Sequence, residues 1–306
     1  MSLPFLQPYF GLSNSLQTAQ ASAAPSGASR GVYAGGVVAS GYNVIDYITI
    51  ATPSNSIDFG DLTGTAWTLA GNQDNNTRVV FSGGNNHETK IDYITISTLG
   101  NATDFGNLSV SRSDINAGAS NDVRGLAFCG YAGGNVNVID YITIATTGNA
   151  TDFGDASATK RMAGALGGVT RGVLFGGYTG VNIDVIEYVT IATTGNTTSF
   201  GSMVNGTANG QHGMQSETRG LIAGGGTTNI EYITIATTSN SIDFGDLAQG
   251  PDNAASGVSS NVRGVSLGGH ITINNIEYVT IATLGNGTNF GDLTVNRVNG
   301  AGGQGG

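Results

Sequence analysis

The sequence predicts an all-β chain folded as a six-bladed propeller, with four antiparallel strands in each blade. Three observations predict it. A segment of the type "IDYITIATTGNATDFGD" recurs six times, and its tyrosines (Tyr47, Tyr93, Tyr141, Tyr188, Tyr232, Tyr278) lie 44 to 48 residues apart. A period in the forties built of strands is the length of one propeller blade. The composition suits strands and turns, with 50 glycines, only 10% charged residues, much Thr, Ile, Val and Asn, and little Lys, Glu or Leu. From each Tyr to the Phe that follows it (Phe59, Phe105, Phe153, Phe200, Phe244, Phe290) the count is 12 in all six copies.

The first strand of each unit is rich in Gly, Ala and Ser, as expected where strands crowd a central axis. The second begins with an arginine (Arg30, Arg78, Arg124, Arg171, Arg219, Arg263) and ends on two small residues, as in "RGVYAGG" and "RGVLFGG". The third carries an acid before its Tyr and is apolar or Thr on both faces, which suits a strand sandwiched between neighbouring sheets. The fourth is "FG" followed by Asp, Asn or Ser. The constant Tyr-to-Phe spacing predicts a hairpin of fixed register with a Gly/Asn/Ser-rich turn. The interval from Arg to the acid instead runs 16, 14, 16, 16, 12 and 14. All changes are even, as a loop requires when both flanking strands keep their side chains on the same faces.

Each repeated residue type has an ordinary role and a sharper one. The six arginines are expected to bridge neighbouring blades by donating to carbonyls and Asp of the "GNATD" turn; the alternative is a ring of anion sites. Together with the six tyrosines they are read as structural. The acids Asp46, Asp92, Asp140, Glu187, Glu231 and Glu277 are expected near the variable loops as solvated turn residues that also accept hydrogen bonds from loop amides. With Tyr placed opposite Phe, Asp61, Asp155, Asp246 and Asp292 fall at the same edge, making one face acidic. Asp46, Asp61, Asp140, Asp155, Glu231 and Asp246 are then the candidates for a calcium site, since Ca²⁺ takes oxygen ligands. No other metal and no cofactor is expected. His87 and His270 follow the Gly pairs of blades 2 and 6, in variable loops, and are candidate interface residues; His212 stands apart. Cys129 replaces the first Gly of its pair and reads as a small buried residue. The Gly pairs do not lead into "GK[ST]", so they are no phosphate loop and are read as sites of close packing or a bulge.

The order of landmarks resembles the kelch repeat across residues 17–293, with Phe where kelch blades usually carry Trp. The near-identical copies also resemble repeat proteins of bacteriophage virions, structural or tail-associated. Among kelch-like propellers, galactose oxidase needs a Tyr, Cys and His set around copper that one Cys and scattered His do not supply. Neither the arginine triad nor the Asp boxes of sialidases stand out. The expected blades are about 17–62, 63–108, 109–156, 157–203, 204–247 and 248–293. Residues 1–16 form an arm whose Leu3, Phe5, Leu6, Tyr9 and Phe10 either pair at ring closure or dock on another subunit. Residues 294–306 form a Gly-rich tail that resembles the start of a seventh first strand.

A net charge of −10 argues against a phosphate-tracking surface, and thus against nucleic acid. No apolar run is long enough to span a bilayer, and the N-terminus lacks a basic signal region. The sequons "NAT", "NTT" and "NGT" fall in repeated turns and read as turn chemistry. The expectation is a non-enzymatic module of a phage particle, assembled in the host cytoplasm without a signal peptide and tail- or fibre-associated. It would present loops to another virion protein or to a host-surface glycan or protein. A lectin-like propeller is the alternative, and an enzyme using the central funnel ranks below both.

Overall fold

The computed structural model describes residues 29–72, 77–205, 209–249, 255–269 and 274–305. Every regular element among them is a strand, and the strands form six separate four-stranded antiparallel sheets. From the axis outward, blade 1 is Ala301–Gly305, Arg30–Ala34, Val44–Thr49 and Ile57–Asp61. Blade 2 is Ala70–Asn72, Arg78–Ser82, Lys90–Thr95 and Thr103–Asn107. Blade 3 is Ala117–Ser120, Arg124–Tyr131, Asn135–Thr143 and Thr151–Lys160. Blade 4 is Gly164–Gly167, Arg171–Phe175, Val185–Thr190 and Thr198–Ser202. Blade 5 is Gln211–Gln215, Arg219–Gly224, Asn229–Thr234 and Ile242–Asp246. Blade 6 is Ser256–Ser259, Arg263–Leu267, Asn275–Thr280 and Thr288–Asp292.

The C-terminal segment takes the place of the first strand of blade 1. The last strand, Ala301–Gly305, is no free tail: it pairs antiparallel with Arg30–Ala34, from Arg30↔Gly305 to Ala34↔Ala301, and is the inner strand of blade 1. "AGGQG" has the small residues an inner strand requires, so the first and last described strands close the ring in one sheet. Crowding at the axis explains those small residues. A methyl group on Gly302 would lie 2.7 Å from the carbonyl oxygen of Gly257, and Gly71, Gly118, Gly213 and Gly257 are equally confined by the next inner strand. The axis retains a polar cavity of about 20 Å³ lined by strands of all six blades, room for about one water molecule.

The core lies between blades. One cluster joins Val32, Ile45 and Phe59 of blade 1 to Val79, Phe81 and Ile94 of blade 2, and comparable clusters follow around the disc. The third strand therefore buries both faces, as its apolar pattern predicts.

The Tyr-to-Phe segment is built differently from a tight hairpin. Tyr47 pairs with Ile57, while Phe59 bulges between the pairs Ile45↔Gly60 and Asp46↔Asp58. Tyr and Phe still meet, edge to face, at 6.0 Å in blade 1 and at similar distances in every blade. The connecting segment runs along the outer strand of the preceding blade: Gly100 N–H donates to Phe59 O and Ala102 N–H to Asp61 O. The fixed spacing is set by this docking, which covers a strand edge otherwise open to another chain. It also fixes the glycine of "FG", since a methyl on Gly60 would stand 2.5 Å from Gly100 O.

Antiparallel order assigns the loops to two faces. The variable loops and the crossovers from one blade to the next lie on one face. The turns leading into the arginines lie on the other.

Candidate functional site

The repeated charged and aromatic residues hold blades together. On the turn face, Arg30 donates to Ile96 O, Arg78 to Ile144 O, Arg124 to Ile191 O, Arg171 to Ile235 O and Arg219 to Ile281 O, always in the next blade. Arg263 completes the circle on Ile50 O of blade 1. The acceptor is the end of the third strand, not the "GNATD" turn expected for it. Each guanidinium also lies over the Tyr of its own blade, 4.1 to 5.0 Å from the ring centroid, a contact that adds to the bond. With every arginine engaged in this way, the ring of anion sites loses its motivation.

A second ring sits on the variable-loop face: the acids do accept hydrogen bonds from amides, as expected, but they are not solvated. Asp46, Asp92, Asp140, Glu187, Glu231 and Glu277 are all buried. Each accepts a backbone N–H from the loop that follows the preceding blade's outer strand, or, in blade 3, from the long end of that strand itself. The donors are Thr294 to Asp46, Thr63 to Asp92, Ser109 to Asp140, Ser157 to Glu187, Asn205 to Glu231 and Ala248 to Glu277. In three junctions a buried cation from that loop joins in: Arg112 with Asp140 at 2.7 Å, Arg297 with Asp46 at 3.1 Å, and Lys160 with Glu187. Burial by itself pushes the Glu187 carboxyl up, but Lys160, Thr197 and Ser157 outweigh it and hold the group below its ordinary value. Glu277, with neutral donors only, is pushed up by burial. Removing one member of such a buried pair costs about 3–5 kcal/mol, because the other charge stays behind.

Sequence reading missed Arg112, Lys160 and Arg297. The signal was there: each stands seven residues after the Phe of its copy. The other copies have Ala66, Thr207 and Pro251 at that position, which hides the pattern.

The remaining expected residues fall as follows. Of the calcium candidates, Asp46, Asp140 and Glu231 are interior latch groups, Asp61 and Asp155 are half-buried, and Asp246 is exposed. The N–H groups of Asp61, Asp155 and Asp246 are taken by Asn101, Asn196 and Asn286 of the next blade. Among the described residues no group of three His, Cys, Asp or Glu is arranged to hold a metal. His87 is not at a surface: it is 4% exposed, with Nδ1 3.9 Å from Asp92, and burial pushes its imidazole below the ordinary value. Cys129 is buried, and burial pushes its thiol up to about 12, which keeps it protonated and unreactive at neutral pH. Leu3, Phe5, Leu6, Tyr9, Phe10 and His270 lie outside the described residues.

The copies differ chiefly on the variable-loop face. Eight non-glycine residues have positive φ among those described: Thr68, Asn86, Glu88, Asp114, Asn116, Cys129, Met162 and Asn299. All belong to variable loops, crossovers or strand ends on that face. Backbone held in this region costs energy, and such residues gather at functional surfaces. Blade 3 stands out further. Its second and third strands are 8 and 9 residues long against 5 or 6 elsewhere, and the hairpin ends in exposed Ala132, Gly133 and Gly134.

Beside that hairpin, Arg161 lies between two rings, its guanidinium 5.1 Å from the centroid of Tyr131 and 5.5 Å from that of Tyr178. Its Nη1 is 3.2 Å from Asp114 Oδ2, and Asn85 donates to the other oxygen of Asp114. Asn135 donates to Tyr178 O, and Asn209 to the side chain of Asn182. Sequence reading did not single out these residues, because they lie outside the repeated landmarks. Seven residues after the arginine, blades 3 and 4 carry Tyr131 and Tyr178, where blades 1, 2 and 5 carry Val37, Asn85 and Gly226.

No protein-family model and no curated protein matches the chain.

Proposed function

We propose that this six-bladed propeller is a non-catalytic binding module of a bacteriophage particle, tail- or fibre-associated, that displays its variable-loop face to a partner. One observation carries the binding-module reading: the chemistry common to all six copies goes into the two latch rings, while departures from the repeat collect on one face. A rigid scaffold with variable loops at one end is how binding surfaces are commonly built. The kelch-like reading rests on the order of Gly pair, Tyr strand and outer-strand aromatic. The phage setting rests on the near-identical copies seen in repeat proteins of virions.

The opposite face supplies a seat. Leu99, Val123, Val169, Val262 and Leu284 are exposed there, and the chain enters blade 1 from that side at Ser29. The arm residues Leu3, Phe5, Leu6, Tyr9 and Phe10, outside the described residues, are proposed as contacts to another virion protein. Mass spectrometry of purified particles tests the setting: peptides of this chain are expected at a fixed ratio to other virion proteins, and their absence sinks it.

A lectin-like role is the second reading. The tyrosine, arginine and asparagine cluster at the junction of blades 3 and 4 favours it.

A further inference from the structure

The junction of blades 3 and 4 carries groups beyond those that latch its two blades together. That latching is made by Arg124 on Ile191 O and by Lys160 on Glu187. Arg161, Tyr131 and Tyr178 come in addition. At the position of Arg161, eight residues after the Phe, the sequence has Trp67, Ser113, Ala208, Asp252 and Val298 in the other copies. Among the described residues, this junction is the one that places an arginine at this position beside two tyrosine rings. Tyr131 is 38% exposed and the Arg161 side chain 32%. The Nε of Arg161 has no hydrogen-bond partner although it is shielded from solvent.

We propose that this cluster is a binding site for a neutral glycan, with the sugar ring against Tyr131 and its hydroxyls taken by Arg161, Asp114, Asn135 and Asn182. This deepens the reading of the variable-loop face as the binding face and rests on it. The chemistry selects the ligand. A pyranose has an apolar C–H face that suits an aromatic ring with a polar tip. Its vicinal hydroxyls both donate and accept, and so match planar forks of opposite character such as a guanidinium, a carboxylate and amides. Charge selects further. Asp114 already neutralises Arg161 and the chain carries a net charge of −10, so an acidic glycan would find no spare cation. A protein partner would instead want a larger apolar centre, and the exposed aliphatic residues of this disc lie mainly on the turn face.

The full chain, Tyr131→Ala and Arg161→Gln are compared on an array of neutral and acidic oligosaccharides. Their thermal unfolding is recorded in parallel. Fluorescent full chain is also applied to a panel of bacterial cells before and after periodate oxidation of surface sugars. Val169→Asp, on the opposite face, is the control. The expected result is binding of the full chain and of Val169→Asp to neutral glycans. Tyr131→Ala should weaken it about tenfold or more, the loss typical of an aromatic anchor, with unfolding unchanged. Binding that survives in both Tyr131→Ala and Arg161→Gln overturns the site. An empty array together with periodate-resistant cell binding overturns the glycan but leaves the face. An empty array with no cell binding overturns both.

Discussion

Arg263 of blade 6 donates from Nη1 to the carbonyl oxygen of Ile50 in blade 1 at 2.9 Å, across 213 residues of sequence. The five other arginines make the same bond across about 62 to 67 residues. One local rule, applied once more, thus becomes the ring closure. The guanidinium lies 4.3 Å from the centroid of Tyr278, so its truncation removes a charged hydrogen bond and a ring contact together. Arg263→Ala is expected to lower the free energy of unfolding by about 2–3 kcal/mol. Arg263→Lys should recover only part of the loss, since an ammonium lacks the planar fork. Urea denaturation of the three proteins measures this, and equal midpoints would remove the arginine ring from the account of stability.

Closure has a second component in the C-terminal strand. Ala301–Gly305 completes blade 1 and packs against the inner strands of blades 2 and 6. Ending the chain at Asn299 would expose the edge of Arg30–Ala34 and remove one wall of the axis. The shortened protein is expected to lose its single cooperative melting transition in circular dichroism and to aggregate through the open edge. A truncated chain that melts as the full one does would show that five complete blades and a partial sixth suffice.

The outer edge makes a one-sided demand on glycine. Gly245 has φ 146, and a methyl there would stand 2.5 Å from the carbonyl oxygen of Gly285 in the next blade. A methyl on Gly285 itself would meet no atom within 4 Å. Gly245→Ala is therefore expected to cost about 3 kcal/mol and Gly285→Ala less than about 0.5 kcal/mol. Thermal melts of the two variants decide between this and a general requirement for flexible glycine in the turn, which would make them equally harmful.

The architecture was legible in the sequence because repetition multiplies weak local signals. One "FG" means little, but six at a constant distance from Tyr define a blade. The same repetition misled where a segment acts on its neighbour. The 12-residue spacing suggested Tyr opposite Phe, whereas Tyr47 pairs with Ile57 and, in the next blade, Gly100, Asn101 and Ala102 are held by the outer strand of the preceding blade. Asp46 and its counterparts were legible as acceptors for amides but not as buried, because the donors are contributed by another blade, up to 248 residues away in the case of Thr294. Arg161 and Tyr178 were not legible at all. Only the crossover between blades brings them together, and one copy has nothing to align with.

His212 is the remaining departure that makes a quantitative demand. It occupies a position in the inner strand of blade 5 where blades 2, 3 and 1 have Ala70, Ala117 and Ala301. Neither ring nitrogen has a partner among the described residues, and burial pushes the imidazole from 6.5 down to about 4. Below pH 6.5 the unfolded chain takes up a proton that the folded protein refuses until near pH 4. Stability from this residue is thus intact above 6.5 and falls as the pH drops through that window, by about 3 kcal/mol in all. Glu187, held low, gives up its own contribution only as the pH falls below about 4.5. His212→Ala should therefore lose less stability than the unaltered protein between about pH 7 and about pH 4.5, whatever the variant's stability at neutral pH. Unfolding free energies from urea titrations across that range measure the slope. Parallel curves for the two proteins would mean that the buried imidazole takes up its proton as readily in the folded state as in the unfolded one.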